Sequence, residues 1–196
     1  MFAVRSFPVA LTVVTAGDHD ETERMRVLLK LVLDCPPDAA WRAIRSPEVF
    51  GAVSAPFTVF TSLEPEGFPT LWVPGEHLVK VRAGGLLPIG EQIIGVSFPE
   101  PGSPHSGTRA VGYSGVGSGE VRLMRDTGRG VGGALGLIRR WEHTMAVSDA
   151  PGARTLYRDQ LVFDAGLLTP LLWPVYWAFW QWRAFGLRRL APSWRV

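Results

Sequence analysis

"AGLLTPLLWPVYWAFWQWR", residues 165–183, decides what kind of protein this chain can be. From Ala165 to Trp182 no residue carries a formal charge, four of the chain's eight tryptophans fall there, and the basic run "RAFGLRRL" follows directly. Thr169 is a candidate N-cap with Pro170 at the first helical position. Pro174 lacks the N–H that a continuing helix uses, so a kink or a late start is expected there. At the helical period Trp173, Tyr176, Trp180, Ala184 and Leu187 share one face, a seam suited to a sheet. Val175, Ala178, Trp182 and Phe185 fall on the far side, and that surplus apolar surface needs a partner.

Three readings of this element stay open. A membrane span needs about 20 apolar residues, and the two prolines near the start shorten the continuous helix. A core helix, apolar all round, is clad by other parts of the fold. An interfacial helix over residues 171–189 would place its tryptophans, with Arg183, Arg188 and Arg189, at lipid headgroups.

The rest of the chain narrows the class. At 196 residues, 46% hydrophobic and 19% charged, it is long enough for one globular domain with a sizeable core. The net charge of +2 is spread along the chain without the aromatic-interleaved basic pattern of RNA binders, so no nucleic-acid partner is expected. Cys35 is the only cysteine, which excludes an internal disulfide and suits a cytoplasmic protein, membrane-associated if the terminal helix is interfacial. It is expected to pack as a small hydrophobe. Residues 1–23 read as a polar-ended leader, a thin imitation of an export signal, and the domain as residues 24–196.

Working back from the terminal stretch, "RRWEHTMAVS" (139–148) and "RTLYRDQLVFD" (154–164) flank "DAPGA", the pattern of a β-hairpin. At the chain's start, "RVLLKLVLD" puts Val27, Leu29, Leu31 and Leu33 on one side of a largely buried strand. "PPDAAWRAI" and "SPEVF" then each open with a helix-start signal, Ser46 being an N-cap followed by Pro47 and Glu48. "FTVFTSLEPEG", "HLVKVRAGG", "IGEQIIGVSF", "TRAVGYSG" and "EVRLMRD" read as further strands, with a loop at "PEPGSPHSG".

The segments "LDCPPDAAWRAIRSPEVF" (33–50) and "YRDQLVFDAG" (157–166), in this order of elements, resemble the START-like helix-grip superfamily, also called SRPBCC, which includes polyketide cyclase/dehydrase-like and coenzyme Q-binding-like proteins. The resemblance covers roughly residues 25–190. It implies an α+β helix-grip fold in which a curved antiparallel sheet wraps one long C-terminal helix, with two short helices after the first strand. A cavity between sheet and helix would take an apolar ligand such as a lipid, isoprenoid or polyketide-like compound, and no cofactor is implied. The leader and the glycine-rich segment Gly112–Gly136 depart from the family pattern.

Strand alternation says which side chains would face such a cavity. Trp141, His143, Met145 and Val147 share one face of their strand; Tyr157, Asp159, Leu161 and Phe163 share one face of the next. A turn centred on "APGA" brings His143 near Tyr157 and Asp159. An imidazole beside a carboxylate in an apolar chamber suits acid–base chemistry, with His143 as acid or base, Asp159 orienting it and Tyr157 donating to a developing enolate. A satisfied, non-catalytic His143 is the plainer alternative. Trp41, Trp72, Trp141, Met145, Leu161, Phe163, Trp173, Tyr176 and Trp180 are the expected ligand-contacting residues, against the alternative that they are simply packing. Glu76, His77 and Glu91 would orient a head group if they faced in and are solvated if they do not. Arg122, Arg125 and Arg129 read as a solvated basic face.

Other motifs are weak. "GRGVGG" (128–133) matches a dinucleotide-binding fingerprint in letters, but that use requires a parallel sheet and an acidic residue about twenty positions on; among antiparallel hairpins it reads as a connecting loop. Ser114 and Ser118 lack nucleophile-elbow spacing. His19, His77, His105 and His143 stand singly, so no metal site is expected.

Overall fold

The computed structural model describes residues 25–101 and 120–195. The leader, the strand candidate "TRAVGYSG", His19, His105, Ser114 and Ser118 lie outside them.

β1 (Met25–Leu33) leads into α1 (Pro37–Ile44) and α2 (Pro47–Ser54), both with proline in the first turn. Ser46 caps α2 by accepting from the Val49 N–H at 3.4 Å. There follow β2 (Thr58–Ser62), β3 (Gly75–Ala83), β4 (Leu87–Ser97), β5 (Arg122–Asp126), β6 (Arg129–Gly133), β7 (Arg140–Ala150), β8 (Arg154–Asp164) and α3 (Thr169–Leu190). All eight strands form one antiparallel curved sheet, ordered β1-β8-β7-β5-β4-β3-β2, with β6 also pairing β4.

The inner face of the sheet carries the core. Val27, Leu29, Leu31 and Leu33 of β1, Val79 and Val81 of β3, Ile94 and Val96 of β4, and Tyr157, Leu161 and Phe163 of β8 are all buried, and Trp180, Ala184 and Leu187 of α3 close over them. On the outer side of β1 Lys30 and Val32 are exposed, so this strand is half-buried rather than largely buried. Cys35 is fully buried, and burial raises its thiol pKa. Gly186 lets α3 approach α2 closely: a Cβ there would lie 3.3 Å from Val53 Cα.

Two expectations about α3 are corrected. The helix starts at Thr169 and runs unbroken through Pro174. The carbonyl left without its donor belongs to Pro170, an exposed residue of the first turn. Thr169 does not cap its own helix; its hydroxyl accepts from the Ala165 N–H and donates to Asp164, tying the helix start to the end of β8. No helix among the described residues is long and apolar enough to cross a membrane.

"GRGVGG" is neither a nucleotide loop nor a plain connection: it is mostly β6, antiparallel to β4. Its glycines allow backbones to touch, since a Cβ on Gly128 would fall 1.8 Å from the Ile93 carbonyl oxygen and one on Gly130 2.1 Å from that of Leu135.

Candidate functional site

β7 and β8 join through Pro151, Gly152 and Ala153, the last two at positive φ, in register with Ala150 opposite Arg154. That register sets Met145 opposite Asp159, with His143 one pair further along the same inner face and Val147 opposite Tyr157. The Asp159 carboxylate is 1% exposed and is the hub of the site. Its Oδ1 lies 2.8 Å from His143 Nε2 and accepts from the Trp180 indole N–H of α3 at 2.9 Å. Its Oδ2 accepts from the Tyr157 hydroxyl at 2.8 Å, with Arg183 Nη2 at 3.8 Å.

Burial alone would raise the Asp159 pKa, but His143, Arg183 and the Trp180 hydrogen bond outweigh it and hold the group at about 2. Tyr157 is pushed well above 10 by burial and then by the neighbouring Asp159 charge, with Arg183 partly opposing. Burial also pushes Tyr176 up to about 12.

A second buried carboxylate faces the same region. Asp126, at the end of β5, pairs opposite His143 across the β5–β7 ladder. Its Oδ1 accepts from the Gly95 and Gly128 N–H groups at 2.8 and 2.9 Å, and its Oδ2 from the Trp141 indole at 3.0 Å. Burial raises its pKa, partly offset by His143 and those three donors.

These groups line a cleft between α2, α3 and the inner face of the sheet. Ile44, Val49, Phe50, Val53 and Leu187 form its helical side; Trp72, Ile94, Met124 and Met145 its sheet side; Asp126, His143, Tyr157 and Arg183 its polar part. It has about 30 Å³ of cavity proper, or about 450 Å³ if all empty space out to the open mouth is counted. Trp72 comes from the loop before β3, held by its N–H on the Arg45 carbonyl and packed against Phe50, Phe68 and His77.

Of the residues expected at the site, His143, Tyr157, Trp72 and Met145 line the cleft, and Asp159 stands directly behind the first two. Trp141, Phe163, Tyr176 and Trp180 instead form a run of ring contacts between the sheet and α3, with Leu161 fully buried nearby. Trp173 donates to the Arg26 carbonyl, and Trp41 packs edge-on to Phe98 under the Arg45 guanidinium. His77 is satisfied by Glu64 and the Val73 carbonyl, Glu76 is exposed in an ion pair with Arg129, and Glu91 is exposed. Arg122, Arg125 and Arg129 each pair with a carboxylate, Asp38, Glu142 and Glu76 respectively.

Sequence reasoning missed two of the four polar lining residues, and of the apolar ones it named only Trp72 and Met145. Arg183, grouped with Arg188 and Arg189 as a headgroup ligand, is 4% exposed and points into the cleft, whereas the other two are exposed. Its helical spacing from Trp180 and Leu187, three before and four after, was the available signal. Asp126 had no such signal, because its partners come from three separate segments. On the far side of α3 Trp182 and Phe185 are 36% and 56% exposed, with Leu171 and Val175 exposed beside them.

No family model and no curated protein matches the sequence. Solved structures do match. A START superfamily protein from Mycobacterium smegmatis superposes with TM-score 0.52 at 10% identity, over 86% of this chain and 97% of its own. The fold is the START-like helix-grip fold. An aromatase/cyclase from a Streptomyces strain shares it with TM-score 0.51 at 11% identity, over 87% of this chain and 93% of its own. So does a hypothetical protein from Helicobacter pylori, with TM-score 0.57 at 11% identity over 96% and 99%. In this helix-grip domain the gripped helix is α3, and the cleft opens beside its C-terminal half, where Arg183 and Leu187 lie.

Proposed function

We propose that this helix-grip domain binds an apolar small molecule in the cleft between α2, α3 and the sheet, as a carrier or sensor. The observation that carries the reading is the cleft's lining: nine apolar side chains around one group of polar ones, His143, Tyr157, Arg183 and Asp126. Binding is then driven by removing apolar surface from water, worth roughly 25 cal/mol per Å², while the polar group fixes orientation. Ligand clefts commonly offer about 300–1,000 Å³, far more than the 30 Å³ of cavity proper here, so entry requires the α2 side to part from the sheet side that carries Trp72. A lipid, isoprenoid or polyketide-like compound fits this chemistry. The test is displacement of an uncharged fluorescent dye from the purified chain by such compounds. Saturable one-to-one displacement is expected, weakened by Val53→Trp, which fills the cleft; displacement indifferent to that substitution would contradict the reading.

A second reading is favoured by the His143–Asp159 contact. With Nε2 turned to Asp159, the other ring nitrogen, Nδ1, is the one available to a ligand as an acid or base, the arrangement of an oriented catalytic imidazole. An aromatase/cyclase is among the proteins that share the fold. Tyr157 would then steady Asp159 rather than donate to an enolate, because its proton is already committed there. Under this reading His143→Gln abolishes turnover of a cyclisable polyketone while leaving dye displacement in place. Turnover that survives the substitution excludes it.

The exposed face at Leu171, Val175, Trp182 and Phe185 supports a peripheral contact of residues 171–189 with lipid. Flotation with anionic vesicles, lost in a Trp182→Ser, Phe185→Ser double variant, is the expected result; flotation unchanged by it would rule the contact out.

A further inference from the structure

Arg183 is a buried cation whose neighbouring carboxylate, Asp159, is engaged by three closer donors. Asp159 receives His143 and Trp180 on one oxygen and Tyr157 on the other, all within 2.9 Å, while Arg183 Nη2 stands off at 3.8 Å. The guanidinium lies among aromatic rings, its central carbon 5.8 Å from the centre of Phe50, 6.0 Å from Phe179 and 5.5 Å from Trp180. Those rings support the charge but accept no directed hydrogen bond from its edge. The buried Nε has no hydrogen-bond partner. A guanidinium taken out of water with a donor unmet is costly, and an acceptor arriving in the cleft recovers that cost.

Resting on the proposal that the cleft binds an apolar ligand, we infer that this ligand ends in a carboxylate and that Arg183 binds that end. Among the described residues, Arg183 is the only Lys or Arg side chain lining the cleft. Its planar fork of N–H donors matches the two oxygens of a carboxylate, a fit that a hydroxyl or an ester carbonyl makes with one oxygen at most. Asp126 does not occupy the position, since both of its oxygens are held by Gly95, Gly128 and Trp141. A doubly charged phosphate is disfavoured, because one guanidinium would face it with the Asp159 carboxylate close behind. The acid end sits beside His143 and Tyr157, and the apolar remainder runs along Phe50, Val53 and Ile94 toward the mouth.

The test compares decanoic acid, its methyl ester and decanol as displacers of the uncharged dye N-phenylnaphthylamine from the full chain. The acid is expected to bind about ten- to a hundredfold more tightly than the ester, the range for hydrogen bonds to a charged partner. In Arg183→Gln that ratio falls to near one. If this variant does not fold, Arg183→Lys serves, and its point charge on a different stem is expected to lower the ratio several-fold. Equal binding of acid and ester by the wild-type chain would overturn the inference and leave the apolar cleft standing. Failure of all three to displace the dye would remove the cleft reading and this inference with it.

Discussion

Asp159 holds four side chains from three elements in one arrangement, and the account is most exposed at that residue. Replacing it with alanine leaves the Tyr157, His143 and Trp180 donors unmet and Arg183 without its counter-charge. The expected loss is about 3–5 kcal/mol, read as a lower urea midpoint at unchanged slope. A loss below about 1 kcal/mol would mean that the cluster is not held as described. The same residue predicts an acid limb in stability. Its folded pKa of about 2 lies below the ordinary aspartate value of 3.8, so the unfolded chain takes up the proton first as pH falls. Its contribution, on the order of 2 kcal/mol, is whole above the ordinary value and disappears as pH falls through about 2. Asp126 acts in the opposite sense: its raised pKa favours the fold at low pH, and that contribution is lost as pH rises through the raised value. Asp159→Asn should therefore flatten the acid limb of an equilibrium-unfolding series across that window, and an unchanged limb would assign it to other carboxylates.

At the scale of elements, α3 shows what sequence could and could not deliver. The seam of Trp180, Ala184 and Leu187 was legible because burial on one face imposes the helical period. Arg183 was not, since a charge ending an apolar run looks like a solvated end until the Asp159 carboxylate is brought beneath it by the sheet. The inward set of β7 and β8 was legible from alternation and a short proline–glycine turn, whereas β6 was not. A run of glycines has little strand propensity, and the close passes of β4 at Gly128 and Gly133 and of Leu135 at Gly130 account for it. Pro174 gave the opposite error: its missing N–H falls so early in the helix that the cost is local. Pro174→Ala, at an exposed position, should restore one helical hydrogen bond and raise the unfolding free energy by about 1–3 kcal/mol in thermal or urea melts. Destabilisation would show that the ring, not the helix, is what packs there.

For the molecule as a whole, the sheet and α3 together make a domain with an aromatic-packed half and a cleft-bearing half. The ring contacts of Trp141, Phe163, Tyr176 and Trp180 fill the first. In the second, the chain leaves charged groups buried at the edge of an apolar cleft, a costly arrangement unless something binds there. That distinction was invisible in sequence, where both halves present the same inward alternation of aromatic and aliphatic residues. The most direct measurement is native mass spectrometry of the chain purified from its own host, followed by denaturing extraction. The account predicts one apolar molecule per chain, released on unfolding and absent from a Val53→Trp variant. A chain that emerges empty, and stays empty when apolar acids, esters and alcohols are supplied, would contradict it.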